Sequence, residues 1–91
     1  MRRPPVLLET GFMALVRYWA GARAAAGCAE EEFPAATVGE LLAGISGRHD
    51  ISRILRVSSL LVDGIAVPTT ESERQLTTGA VIDVLPPFAG G

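Results

Sequence analysis

The chain has 91 residues, a formal net charge of −2 and 48% hydrophobic residues, a composition typical of one small folded domain. All eight basic residues are arginines scattered between Arg2 and Arg74, so the charge pattern does not indicate nucleic-acid binding. Because the chain contains no lysine, it excludes a phosphate-binding loop of the Gly-Lys type and catalysis through a lysine Schiff base.

The first part of the chain predicts an extension, a strand and a short helix. Residues 1–11 carry two prolines and end at Gly11, which is typical of a segment outside the fold. Residues 12–20 are rich in apolar and aromatic side chains and predict a strand. One face of this strand would carry Phe12, Ala14, Val16 and Tyr18, and the other Met13, Leu15 and Trp19. Apolar residues on both faces indicate a central strand, followed by a helix over residues 22–26 that ends at Gly27.

Residues 29–33 predict a second strand that pairs back on the first. Three consecutive glutamates, Glu30 to Glu32, are poor strand formers, so we expect a short, solvated edge strand. An alternative is that these carboxylates steer a basic surface of a partner protein.

The main helix is predicted to begin at Thr37. The hydroxyl of Thr37 can accept from the Glu40 amide while Glu40 reaches back, which is the capping-box pattern. Helical spacing indicates a buried face made of Val38, Leu41, Leu42 and Ile45. Gly47 marks the predicted end, and a further short helical turn is expected over residues 51–55.

The last part of the fold predicts two short strands and a buried final strand. Residues 60–67 form either a strand, an Asp63-Gly64 turn and a strand, or one bent strand. Leu76 is the expected core anchor of the polar connection that follows. Gly79 turns the chain into residues 81–85, which are apolar on both faces and therefore expected to be buried.

The remaining candidate side chains give weak signals. A single cysteine, Cys28, forms no internal disulfide and fits a reducing cytoplasm, where we expect the protein to lie. His49 is the single histidine, so we expect no metal cluster and no Cys-His pair near Cys28. Asp63 and Asp83 are interpreted as turn and strand-end residues rather than as a general acid and base. No apolar run approaches the length of a membrane span, so no membrane partner is expected.

The final stretch, Pro86-Pro87-Phe88-Ala89-Gly90-Gly91, has the chemistry of a projecting tail. Two prolines stop the strand ladder and favour polyproline II, which would carry the chain roughly 15 Å beyond the fold. Glycines without side chains let a carboxylate enter a slot too narrow for a Cβ atom. We interpret the tail as a carboxylate built for delivery, although a frayed terminus has the same composition.

This ending, preceded by the run from Leu76 to Val84, resembles the MoaD/ThiS family of ubiquitin-like sulfur carriers. It is most similar to the MoaD branch, the small subunit of molybdopterin synthase. The residues from Val16 to Gly27 and the Val62-Asp63-Gly64 triplet add weaker similarity. Pattern reasoning alone gives an α+β fold, and the resemblance makes it a β-grasp. The expected architecture is a mixed sheet of about four to five strands crossed by one main helix. The domain would span residues 12–85, with a flexible tail over residues 86–91.

The resemblance also implies a carrier chemistry with no active site in the carrier itself. A MoeB-like adenylyltransferase would use Mg-ATP to adenylate Gly91, and sulfur would then replace AMP to leave a thiocarboxylate. The chain itself would bind no cofactor. In the MoaD branch the tail enters a MoaE-like large subunit and donates sulfur to cyclic pyranopterin monophosphate. Gly90 would pass through the channel of that partner, and Pro86, Pro87, Phe88 and Ala89 would contact it.

Three alternatives keep the same tail. The carrier can serve thiamine or cysteine synthesis, although the double proline argues mildly against thiamine. A ubiquitin-like modifier would instead conjugate through Gly91 to lysines of other proteins. A binding domain with an inert tail would react with neither ATP nor an adenylyltransferase.

Overall fold

The computed structural model describes residues 13–87 of the chain. Five strands and three helices follow in the order β1 (Met13–Tyr18), α1 (Ala20–Ala26), β2 (Glu30–Pro34), α2 (Val38–Arg48), α3 (Ser52–Val57), β3 (Ser59–Val62), β4 (Ile65–Val67) and β5 (Val81–Leu85).

The strands form one mixed sheet in the order β2-β1-β5-β3-β4. Strands β1 and β5 are parallel at its centre, and the other neighbouring pairs are antiparallel. Fully buried residues of α2, such as Leu41 and Ile45, share one core with Val16 of β1 and Ile82 of β5. The main helix therefore covers one face of the sheet, which confirms the predicted α+β, β-grasp architecture.

Strand β1 follows the predicted alternation on the helix-covered face. Ala14, Val16 and Tyr18 are buried, at 1%, 0% and 0% exposure. The opposite face is less covered than its apolar sequence indicates, because Met13 and Leu15 are half-buried. Trp19 lies after the strand as the residue preceding α1 and is 40% exposed.

Helix α2 begins at the predicted cap with one change in its partner. The Thr37 hydroxyl accepts from the Glu40 amide at 3.2 Å, as expected. The Glu40 carboxylate reaches back one residue further than a capping box requires and accepts from the Ala36 amide at 2.8 Å. The helix ends at Arg48 rather than at Gly47, and Leu42 on its rim is half-buried.

The turns after α3 match the sequence pattern closely. Asp63 and Gly64 have φ values of 50° and 85°, which identifies the tight hairpin turn expected between two strands. The Asp63 carboxylate also accepts from the Val81 amide at 2.9 Å and ties the hairpin to β5. Leu76 is buried at 6% exposure, as predicted for the anchor of the polar connection.

Two glycines of α2 provide a matched test of this packing. A Cβ atom on Gly39 would lie 2.9 Å from both the Cβ atom and the carbonyl oxygen of Ser72, whereas one on Gly47 would meet nothing within 4 Å. We expect Gly47→Ala to raise the free energy of unfolding by roughly 0.5–1 kcal/mol, because alanine restricts the unfolded chain and favours helix. Gly39→Ala should lower it, because the connection at Ser72 must move. Urea unfolding of both variants checks the signs, and equal effects would contradict this packing.

Among residues 13–87, no helix is long and apolar enough to span a membrane.

Candidate functional site

The tail leaves the fold at the end of β5. This strand ends at Leu85, Pro86 is buried and Pro87 is exposed. The exposed part of the tail therefore begins one residue after the predicted boundary. Phe88, Ala89, Gly90 and Gly91 lie outside the described residues, so their proposed roles stay predictions.

The parallel pairing of β1 and β5 determines which residues surround this exit. Carboxyl ends of parallel neighbours lie at the same edge of a sheet. Tyr18 is in register with Val84, and the Trp19 amide donates to the Val84 carbonyl at 3.2 Å. The tail thus leaves the sheet beside the Tyr18-Trp19 corner.

A buried carboxylate supports this corner from the face of the sheet opposite α2. Asp83, 7% exposed, accepts from Arg17 Nε at 2.8 Å, from Arg17 Nη2 at 3.1 Å and from Trp19 Nε1 at 2.8 Å. The Arg17 hydrogen bond, with help from Trp19, overcomes the effect of burial and lowers the pKa of Asp83. The interpretation of Asp83 as a strand-end residue is therefore wrong, since it lies within β5 and joins that strand to β1 and to Trp19.

The face around Asp83 has the character of a protein-binding surface. By the strand register, this face carries Leu15 beside Val81, Leu61 beside Asp83, and Ser59 beside Leu85. Its apolar residues are half-buried: Met13, Leu15, Leu61, Val81 and Leu85. An apolar centre with a satisfied ion pair and an exposed tryptophan at its edge is the kind of surface that protein interfaces use. It lies next to the point where the tail leaves.

A comparison with models of protein families identifies the family of this chain. The model of the ThiS family matches residues 16–91, which include the second half of β1, the other four strands and the Gly-Gly ending. The chain belongs to the ThiS family. No curated protein sequence matches it.

Solved structures similar to this ThiS-family chain include two kinds of protein, molybdopterin converting factor subunits and a small archaeal modifier. A putative molybdopterin converting factor subunit 1 from Pyrococcus furiosus is 28% identical, with a TM-score of 0.70 over 82% of this chain and 97% of that one. Small archaeal modifier protein 1 from Haloferax volcanii is 22% identical, with a TM-score of 0.74 over 87% of this chain and 99% of that one. The complex of subunits 1 and 2 of molybdopterin-converting factor from Helicobacter pylori 26695 matches at 23% identity, with a TM-score of 0.68 over 87% of this chain and 99% of that chain. The last two show the shared fold.

The ThiS-family chain has a second polar cluster, centred on Glu31 of β2. The Glu31 carboxylate accepts from Tyr18 Oη at 2.7 Å and from Arg48 Nη1 at 3.0 Å, and it contacts His49 Nε2. Burial alone would raise the pKa of Glu31, but the hydrogen bonds from Tyr18, His49 and Arg48 outweigh it and lower that pKa. The predicted solvated edge is thus correct for Glu30 and Glu32, which are exposed, and wrong for Glu31.

Cys28 joins the same cluster, contrary to the expectation that it has no histidine nearby. Ligand atoms of Cys28, Glu31 and His49 all lie within 4.8 Å of one another. Burial has the largest effect on the Cys28 thiol and raises its pKa, and the Glu31 carboxylate raises that pKa further. In the sequence, the signal for this cluster was the short separation of Cys28 and Glu31. The position of His49 depends on how α2 packs, which no local pattern reveals.

The Asp83 network leads to a testable dependence of stability on pH. Because the pKa of Asp83 is lowered on folding, its ion pair stabilises the native state at neutral pH. That stabilisation is lost as the pH falls from the unfolded pKa through the folded one. We expect Asp83→Asn to lower the free energy of unfolding by about 1–3 kcal/mol at pH 7. The difference in stability from the parent chain should shrink in acid. Urea unfolding at several pH values measures this.

The control for Asp83→Asn is Asp50→Asn, which changes an exposed aspartate. It should leave the curve of stability against pH close to that of the parent. An Asp83→Asn curve that runs parallel to the parent curve down to the acid limb would show that the ion pair contributes nothing.

Proposed function

We propose that this chain is a ubiquitin-like sulfur carrier and the small subunit of a molybdopterin synthase, with Gly91 as its carrier residue. The observation that carries the proposal is the ThiS-family match, which continues through residue 91. The position of the tail supports it, since Pro87 projects from the central strand pair. The β-grasp domain would serve to present the tail.

The carrier chemistry requires an external activating enzyme. An α-carboxylate has an ordinary pKa of about 3.3–3.7, so at neutral pH it is an anion and a poor electrophile. In the proposed step a carboxylate oxygen of Gly91 attacks the α-phosphorus of Mg-ATP on a MoeB-like adenylyltransferase, and pyrophosphate leaves. Hydrosulfide then attacks the acyl carbon, the bond from that carbon to the AMP oxygen breaks, and AMP and a proton leave, which yields the thiocarboxylate. Glu31 and Asp83, the carboxylates described above, are held in internal hydrogen bonds and are assigned no part in it.

The proposed second partner is a MoaE-like large subunit that receives the tail. The Helicobacter pylori neighbour of this chain is a complex of subunits 1 and 2 of a molybdopterin-converting factor, which supports this assignment. The half-buried apolar face around Asp83 would dock on the partner, since it adjoins the exit of the tail. Phe88 would anchor in a pocket of the partner, and Gly90 would pass its narrowest point. Sulfur would then be donated to cyclic pyranopterin monophosphate.

The proposal is tested by intact mass spectrometry. The chain is incubated with Mg-ATP, a MoeB-like adenylyltransferase and a sulfide source. The expected product is heavier by the exchange of one oxygen for one sulfur, and fragmentation should place that exchange on Gly91. Addition of a MoaE-like subunit and cyclic pyranopterin monophosphate should then yield molybdopterin. An unchanged mass, while the same adenylyltransferase thiocarboxylates another carrier, would overturn the proposal. Sulfur transfer that occurs only with the partners of a thiamine or cysteine pathway would show that the sulfur acceptor belongs to that pathway.

A second candidate is a protein modifier joined through Gly91 to lysines of target proteins. It is supported by the fold shared with small archaeal modifier protein 1. Because this chain has no lysine, one copy offers no side-chain amine to which a second copy could be joined. Each modified lysine of a target would therefore carry a single copy. Adducts that appear in a lysate only with the activating enzyme and ATP would favour the modifier. Their absence would leave the carrier as the function.

A further inference from the structure

The cluster of Cys28, Glu31 and His49 has the composition of a metal site, and the carrier chemistry proposed above does not use it. The three side chains are half-buried, and their ligand atoms lie within 4.8 Å of one another. Each offers a different donor: a sulfur, a carboxylate oxygen and an imidazole nitrogen. We propose that these three residues bind one divalent transition-metal ion of borderline softness, with Zn²⁺ as the ion that this donor set fits best.

The three donors are positioned by separate parts of the fold. Cys28 follows Gly27, whose φ of 79° ends α1 and turns the chain toward β2. Glu31 is in register with Val16, so it lies on the face of the sheet that α2 covers. His49 caps α2 and its amide donates to the Ile45 carbonyl at 2.9 Å. Because helix packing and strand pairing fix these positions, the donors are brought together before any ion arrives.

The spacing suits tetrahedral coordination with small movements. Zinc bonds of about 2.3 Å to sulfur and about 2.0–2.2 Å to nitrogen and oxygen place tetrahedral ligand atoms roughly 3.3–3.7 Å apart. The three ligand atoms lie within 4.8 Å of one another, and Glu31 Oε2 and His49 Nε2 are in hydrogen-bond contact. Side-chain rotation would therefore bring the Cys28 sulfur closer and move Oε2 and Nε2 apart. Three protein ligands leave a fourth position for water or an added ligand, as in zinc sites that are not purely structural.

Neighbouring groups already orient two of the proposed ligands. Arg48 Nη1 donates to Oε1 of Glu31 at 3.0 Å, which leaves Oε2 facing His49 Nε2. The Tyr18 hydroxyl donates to that same Oε2 at 2.7 Å, and the Tyr18 ring packs edge-on against the imidazole at a centroid distance of 5.9 Å. Outer partners of this kind hold ligands in their binding orientation. An ion at this site would replace the contact between Oε2 and Nε2, and Arg48 and Tyr18 would remain around it.

The test is a titration of the full, reduced chain with Co²⁺, which replaces Zn²⁺ and reports its ligands by absorption. We expect visible d–d bands and a thiolate-to-cobalt charge-transfer band, both saturating at one ion per chain and both lost on addition of Zn²⁺. Cys28→Ser should abolish the charge-transfer band. Glu31→Gln and His49→Gln should each weaken Co²⁺ binding by about tenfold or more, since losing even an outer partner costs about 10–100-fold.

The matched control is Glu32→Gln, a change to the exposed glutamate next to Glu31, and it should leave the titration unchanged. X-ray absorption of the Zn²⁺-loaded parent chain provides a measurement that needs no variant, and we expect one sulfur in the first coordination shell. No saturable spectrum, a charge-transfer band that survives Cys28→Ser, or a zinc shell without sulfur would each overturn the site. None of these results depends on whether Gly91 carries sulfur.

Discussion

Deletion of Gly91 is expected to abolish thiocarboxylate formation and sulfur delivery while leaving the free energy of unfolding unchanged. The deletion still leaves a glycine carboxylate at the end of the tail, but one residue, about 3.1 Å in polyproline II, closer to the fold. Positioning accounts for a large share of catalytic rate, and a reacting atom displaced by this much is out of line with ATP. Both the intact-mass assay and sulfur transfer should therefore read zero.

The matched control is Ala89→Ser, which keeps the length of the tail and the small size of the residue. It should be thiocarboxylated close to the parent rate. Full activity of the Gly91 deletion would show that the reach of the tail does not matter. Equal loss in both variants would show that the assay responds to any change in the tail rather than to its length.

Leu41→Ala is expected to destabilise the fold by about 2–5 kcal/mol. Leu41 is fully buried on α2, and its removal leaves a cavity between the helix and the sheet. Small domains have a total stability of only about 5–15 kcal/mol, so this one change removes a large part of it. Urea unfolding, with the slope held fixed between variants, gives the difference.

The neighbouring leucine is the natural comparison for Leu41→Ala. Leu42 follows on the same helix but is half-buried at the rim of the core. Leu42→Ala removes the same atoms with the same change in helix propensity, so the gap between the two variants isolates the effect of burial. Equal losses would mean that α2 packs on the sheet with a different face from the one described.

The sequence predicted the elements whose signals are local. The Asp63-Gly64 pair specifies a hairpin by its backbone preferences, and Thr37 with Glu40 starts α2 by a hydrogen bond between near neighbours. The apolar run of β5 predicted a buried central strand. These features need only a few adjacent residues, so they can be read before the fold is known.

The polar networks could not be predicted, because they depend on strand register and helix packing. Arg17 and Asp83 are 66 residues apart and meet only when β1 pairs in parallel with β5. Glu31 looks identical to Glu30 and Glu32 in the sequence, and its burial is decided by its direction toward α2. A pattern that predicts a solvated strand edge therefore missed one inward carboxylate of three.

The parallel pairing of β1 with β5 also decides how the fold responds to mechanical force. The chain enters β1 at one end of the central strand pair and leaves β5 toward Pro87 at the opposite end of that pair. A pull between these two ends slides the central strands along each other, so their hydrogen bonds share the force instead of opening one by one. Forced unfolding is governed by the unfolding barrier rather than by equilibrium stability. A force between these two ends therefore acts along the strands, and the hydrogen bonds between β1 and β5 resist it together.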